Sequence, residues 1–199
     1  MIDISSPFGS EDDGHFDDPD AFVPDHVPAP GPFLVDQSVL TDDDHVEVHE
    51  VARDVFEERG VYDMTFGYNL ARLNADARHP DAGYRYAEAN DSNTLRAEFT
   101  PTTPFCPQSH TLAIGSFRAW NGLSDRHEYD VVRVRVHPMH NESERINRRL
   151  TAAEEAYRET GSVSETSTES GLGTSTPGAG RAGGDASSRE ADFGHESPF

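Results

Sequence analysis

The stretch Leu95-Arg-Ala-Glu-Phe-Thr-Pro-Thr-Thr-Pro-Phe-Cys-Pro107 decides the fold, because it joins a strand pattern to a proline-rich loop and a helix start. Three apolar residues alternate with polar ones, which is typical of a strand with one buried face: Leu95, Ala97 and Phe99. Proline is excluded from helix interiors but tolerated at the first helical position. We therefore predict that the strand ends near Thr100 and that a helix begins at Pro107.

Before this stretch, five apolar residues follow the spacing of an amphipathic helix: Val48, Val51, Ala52, Val55 and Phe56. Gly60 fits the C-terminal end of that helix. The alternation from Tyr62 to Leu70 predicts a half-buried strand. Tyr84 and Tyr86 begin a further strand, which a turn at residues 90–93 joins to the strand of Leu95 as a hairpin.

After the stretch, the helix that begins at Pro107 carries an apolar stripe. It is followed by alternating residues from Val132 to Val136, and this alternation predicts a strand. Asn141 and Glu144 resemble a capping box, and Ile146, Leu150, Ala153 and Tyr157 form the apolar stripe of a last helix. The predicted order is αβββαβα with local hairpin pairing. The fold class is therefore α+β, a small mixed sheet covered by helices.

Composition divides the 199 residues into three regions. Residues 1–40 are rich in Asp, Pro and Gly and predict a disordered acidic segment. Residues 41–158 hold the periodic patterns of the α+β domain. Residues 159–199 are dominated by Ser, Gly and Thr and predict a disordered tail.

The charge excludes several classes of partner. The chain has 37 acidic and 16 basic residues, a formal net charge of −21, and every basic residue is arginine. Nucleic acids and anionic membranes require a basic surface, so we predict neither as a partner. Such acidity without lysine indicates the salt-rich cytoplasm of a halophilic archaeon. No apolar run approaches a membrane span and the N-terminal residues are acidic, so we expect a cytoplasmic protein.

Cys106 is the only cysteine, which excludes an intramolecular disulfide and suits a reducing compartment. If Pro107 is the first helical residue, Cys106 is the N-cap, where free N–H groups and the helix dipole favour the thiolate. His110, four residues later, is placed to donate a hydrogen bond to the sulfur or to add a ligand. The alternative is that Cys106 is a small buried apolar residue.

Histidines near the two predicted helix starts suggest a metal site. Cys106, His110 and His140, with His137 beside them, are ligand types that suit zinc or iron. Their spacing is not that of a zinc finger, so we predict no permanently bound metal.

The run Ala97-Glu-Phe-Thr-Pro-Thr-Thr-Pro-Phe-Cys106 resembles the signature loop of the cytosolic iron–sulfur assembly component 2 family, which includes PaaD and SufT type proteins. The resemblance continues through Val134-Arg-Val-His-Pro-Met-His140 and Ile146-Asn-Arg-Arg-Leu150. It implies a compact α+β domain and a role in iron–sulfur cluster assembly or delivery to apoproteins. It also implies that Cys106 is the functional thiol, with Thr103, Pro104 and Pro107 shaping its loop.

By this resemblance the protein is not an enzyme, and its cofactor is at most a transient iron–sulfur cluster or iron. One cysteine cannot hold a four-iron cluster, so we expect a homo-oligomer, or a complex with apoprotein clients and other assembly proteins. Two alternatives stay open. One is a thiol enzyme with Cys106 as nucleophile and His110 or His140 as base. The other is a non-catalytic adaptor that recruits partners through its acidic ends.

Overall fold

A computed structural model describes residues 14–18 and 20–163, and its fold is α+β. The helices are α1 (Asp42–Arg59), α2 (Ser109–Gly122) and α3 (Ser143–Thr160). The strands are β1 (Ser38–Val39), β2 (Tyr62–Asp63), β3 (Tyr68–Asn69), β4 (Gly83–Glu88), β5 (Thr94–Thr100) and β6 (Val131–Val136). Short 3-10 turns lie at Pro24–His26, Leu70–Ala75 and Ser124–Arg126. None of the helices in these ranges is long and apolar enough to cross a membrane.

The main sheet is mixed and has the strand order β1-β4-β5-β6. The strands β4 and β5 form the predicted antiparallel hairpin, with Gly83 opposite Thr100. The strands β5 and β6 are parallel, and the crossover between them carries α2, as a parallel connection requires. The Cys106 loop lies at the beginning of this crossover, between the end of β5 and α2.

The inner face of the sheet packs against α1 and α2 and forms the core. Its largest fully buried side chains are aromatic: Trp120, Tyr84, Tyr86, Phe56 and Phe99. The residues predicted from alternation in β5 and β6 all lie in this core. The left-handed Gly60, with φ 66°, ends α1 as predicted, because glycine adopts this conformation without steric cost.

Two asparagines complete the free edge of β6. Asn121 of α2 accepts from the Val132 N–H and donates to the Val132 carbonyl, at 2.9 and 2.8 Å. Asn147 of α3 does the same to Val136, at 2.8 and 2.9 Å. These amides replace a neighbouring strand and block edge-to-edge pairing with another chain.

The outer face of the sheet carries charged residues and is covered by residues 20–37, which we call the N-terminal strap. The Gly31 N–H donates to Glu98 Oε1 at 2.6 Å, and Leu34 is fully buried. A Cβ at position 31 would lie 2.5 Å from the His137 ring and 2.6 Å from Glu98 Oε1, so a larger residue would force these side chains to move. The predicted disorder of residues 1–40 is therefore wrong for the strap, because the charged sheet face supplies its partners. Residues 1–13 lie outside the described residues.

The region after α1 also differs from its prediction. The predicted strand from Tyr62 to Leu70 is instead the two-residue hairpin β2–β3, followed by a 3-10 turn. Asp63 Oδ1 accepts from the N–H groups of Thr65 and Phe66, which closes a turn and interrupts the extended chain.

The end of the chain agrees only in part with the predicted organisation. The capping box at Asn141 does not form, because α3 has Glu142 at its N-cap without a side-chain bond. The helix ends at Thr160, inside the predicted tail of residues 159–199, and residues 164–199 lie outside the described residues.

Candidate functional site

Cys106 is a free, half-buried thiol on the loop 101–108 between β5 and α2. The prediction that it caps the helix is wrong, because α2 begins at Ser109 with Gln108 as its N-cap. The Ser109 N–H donates to the Cys106 carbonyl oxygen at 3.3 Å, which forms a turn ahead of the helix. The first helical N–H therefore meets the backbone of Cys106 and not its sulfur.

One side of the loop is held by the segment that precedes α3. The Asn141 N–H donates to the Pro104 carbonyl at 3.0 Å, and His140 Nε2 donates to the Cys106 carbonyl at 3.1 Å. His140 Nδ1 accepts from the Glu142 N–H at 3.2 Å, which places the ring proton on Nε2. Both ring nitrogens are thus occupied, and His140 serves as a buried brace for the loop.

The other side of the loop is held by the β2–β3 hairpin. Gln108 Oε1 accepts from the Met64 N–H at 3.0 Å, and its Nε2 donates to Thr65 Oγ1 at 2.6 Å. Within the loop, the Cys106 N–H donates to the Thr103 carbonyl at 3.4 Å. These contacts and the prolines restrict the backbone on both sides of the thiol.

The surface around the thiol is apolar and exposed. Phe105 is 75% exposed and Met64 is 80% exposed, although both are large apolar residues. Thr103 and Pro107 are exposed as well, whereas Pro104 is half-buried. Exposed apolar side chains on a rigid loop, and on the hairpin that is hydrogen-bonded to it, are typical of a surface that contacts another molecule.

The structure does not bring the three predicted metal ligands together. His110 Nε2 accepts from Arg149 Nη1 at 2.8 Å, and burial followed by the charges of Arg149 and Arg145 lowers the pKa of His110. His140 faces the backbone of Cys106, as described above. Within the described part of the chain, no three His, Cys, Asp or Glu side chains form a group that could hold a metal ion.

Sequence reasoning missed two polar residues near the loop. Gln108 is given no role by the sequence patterns, although a polar side chain at a helix start after proline is a signal that could have identified it. Glu98 is 1% exposed beside His137, and burial raises its pKa against the opposing effects of the Gly31 N–H and His137. The signal in the sequence that could have identified Glu98 is that it is the single acidic residue in the strand pattern before Cys106.

Comparison with models of known families gives a match over most of the chain. Residues 14–164 match the family model described as a domain of unknown function, DUF7998. No curated protein matches the chain. The match covers the strap, the sheet, the Cys106 loop and α3.

Proposed function

We propose that this chain, which belongs to the DUF7998 family, is an iron–sulfur cluster assembly or delivery factor acting on apoproteins through Cys106. The observation that carries the proposal is a partly exposed free thiol on a loop braced from two sides. A thiolate is the usual protein ligand of iron–sulfur clusters, and a fixed backbone reduces the entropy lost on binding. In this proposal the cluster is cargo and the protein is not an enzyme.

The surroundings of the thiol support transfer between two proteins. One thiolate leaves most of the iron coordination open, so further ligands must come from a client or from a second copy. Phe105, next to Cys106 in the loop, and Met64, in the hairpin that Gln108 contacts, offer exposed apolar contacts for such a partner. A free thiol of this kind also suits a reducing cytoplasm, where we place the protein.

The same geometry disfavours a thiol enzyme. A catalytic base must reach the nucleophile with a free ring nitrogen. Both nitrogens of His140 are engaged with backbone groups, and His110 Nε2 is engaged with Arg149. We therefore prefer a binding role for Cys106 over a catalytic one.

Anaerobic incubation of the full chain with iron and sulfide tests the proposal. The wild type should acquire the visible absorbance of a thiolate-bound cluster and should pass iron and sulfide to an apo-ferredoxin. Cys106→Ser should lose both properties, whereas Thr102→Ser, a change on the same loop that keeps the thiol, should retain them. Size-exclusion chromatography during loading shows whether two copies share the cargo.

Three outcomes would contradict the proposal. Equal iron and sulfide on wild type and Cys106→Ser would remove the thiol from the role. Turnover of a thioester probe that is lost in Cys106→Ser would favour the enzyme. Client pull-down from the native host together with full cluster-enzyme activity in a Cys106→Ser strain would favour the adaptor.

A further inference from the structure

Arg85 lies in β4, on the outer face of the sheet, and is a buried cation with no hydrogen-bond or ion-pair partner among residues 14–18 and 20–163. It is 9% exposed, and its Nε is fully buried with no hydrogen bond. In the described ranges its guanidinium makes no ion pair, and its one ring contact is Phe22, whose centroid is 5.8 Å from the guanidinium carbon. Burial of an unpaired charge is costly, so such a group normally has a counter-charge.

Arg85 lines a groove of about 520 Å³ between the N-terminal strap and the start of α1. The strap supplies apolar walls: Phe22, Pro24, Val27, Pro28, Ala29 and Pro30. The opposite wall includes Thr41 and Asp42, where the 18-residue α1 begins without a side-chain cap. The first turn of this helix already carries the carboxylates of Asp42, Asp43 and Asp44, so any attraction for an anion must come from Arg85.

Arg85 supplies the positive charge of this groove. Burial lowers the pKa of Arg85, Asp42 opposes that effect, and a guanidinium remains charged in either case. His45 lies under the same Phe22 ring, at 5.2 Å between centroids, but burial, His49 and Arg85 lower its pKa to about 3. His45 is therefore neutral near pH 7.

Three carboxylates on the groove wall limit the charge of a ligand. Asp25, Asp42 and Asp81 line the same groove, and none of them forms an ion pair with Arg85. They repel any anion, and one with two or more charges most strongly, whereas a single carboxylate directed at Arg85 offsets this repulsion with a charge-assisted, two-pronged hydrogen bond. The proline and phenylalanine walls then suit a compact apolar body.

We infer that this groove is a binding site for a small monocarboxylate with a branched or compact apolar body. The carboxylate bonds the Arg85 guanidinium near the start of α1, and the apolar body packs against Phe22 and the strap prolines. The groove is separate from the Cys106 loop, so the test of this inference is independent of the test of the cluster proposal.

Isothermal titration of the full chain with isovalerate tests the inference. Isovalerate should bind saturably with a Kd of about 1 mM, whereas the neutral isostere isovaleramide and inorganic sulfate should bind at least tenfold more weakly. Amide or sulfate binding equal to that of isovalerate, or the absence of saturable binding by isovalerate, would overturn the inference.

Matched variants locate the site. Arg85→Gln should weaken isovalerate binding tenfold or more, and Arg85→Lys should restore part of it because it keeps the charge. Arg148→Gln removes the same charge from an exposed position on α3 and should bind as the wild type does. Circular dichroism checks that each variant is folded, and a folded Arg85→Gln protein with unchanged affinity would also overturn the inference.

Discussion

The two faces of the main sheet bury their residues by different means. The inner face is covered by α1 and α2 and holds apolar side chains such as Leu95, Phe99 and Val134. The outer face holds Glu98 and, among its arginines, Arg96, Arg133 and Arg135, for which the strap and α3 provide partners. The ring centroid of Phe33 in the strap lies 5.1–5.6 Å from the guanidinium carbons of three arginines: Arg96, Arg133 and Arg135. The inner face therefore depends on apolar burial, and the outer face on hydrogen bonds and ion pairs specific to position.

The largest expected effect comes from a cavity on the inner face. Phe99 is 1% exposed and contacts Tyr84, with 5.3 Å between ring centroids. Phe99→Ala should lower the free energy of unfolding by about 4 kcal/mol, because it removes apolar contacts and leaves a void. Urea unfolding followed by circular dichroism measures this, with Phe105→Ala, a 75% exposed phenylalanine, as control. Equal losses in both variants would contradict the inner-face core.

A somewhat smaller effect tests whether the strap is part of the fold. Leu34 is fully buried, so Leu34→Ala should lower the free energy of unfolding by about 3 kcal/mol. Its neighbour Val35 is 61% exposed, and Val35→Ala should change stability by no more than about 0.5 kcal/mol. Measurement of both by urea unfolding compares adjacent positions. If the Leu34→Ala protein were as stable as the wild type, the result would support the disorder predicted from composition for the strap.

The sequence was sufficient for the inner face because its signals are local. Alternation in β5 and β6 and the helical spacing around Val55 identify buried positions without knowledge of the partner. The strap could not be predicted in this way, since Gly31, Phe33 and Leu34 show no periodicity. Their order depends on Glu98 and on arginines more than sixty residues away, which a composition argument does not include.

The position of the Cys106 loop could be predicted from the sequence, but the side-chain contacts that hold the loop could not. Three prolines placed Cys106 between a strand and a helix, and the structure agrees with that position. The predicted N-cap, Cys106, lies two residues before the observed N-cap, because a turn from Cys106 to Ser109 precedes the helix. The bonds from His140 and Gln108 are contacts between distant segments, and sequence spacing contains no signal for their direction.

The smallest effect concerns two buried glutamates on the outer face whose pKa values shift in opposite directions. Burial raises the pKa of Glu98, which has only partial compensation from Gly31 and His137. Burial alone would also raise the pKa of Glu154, but hydrogen bonds from Arg135 and Arg133 outweigh it and lower the pKa below 4.5. The same side chain on one face therefore has two different pH dependences.

The signs follow from proton linkage. The folded state binds the Glu98 proton more tightly than the unfolded state, so its contribution to stability is present below pH 4.5 and is lost as the pH rises through the raised pKa. Glu154 contributes above pH 4.5, and its contribution is lost as the pH falls through the lowered pKa.

Glutamine variants isolate these two contributions, because the rest of the chain titrates alike in wild type and variant. The stability difference between wild type and Glu98→Gln should decrease as the pH rises above 4.5, and that for Glu154→Gln should decrease as the pH falls below 4.5. Urea unfolding at a series of pH values gives both curves. If both stability differences changed in the same direction with pH, the strap and the arginines would provide equivalent surroundings for the two glutamates. The distinction between the strap backbone and the ion pairs as partners of the outer face would then not hold.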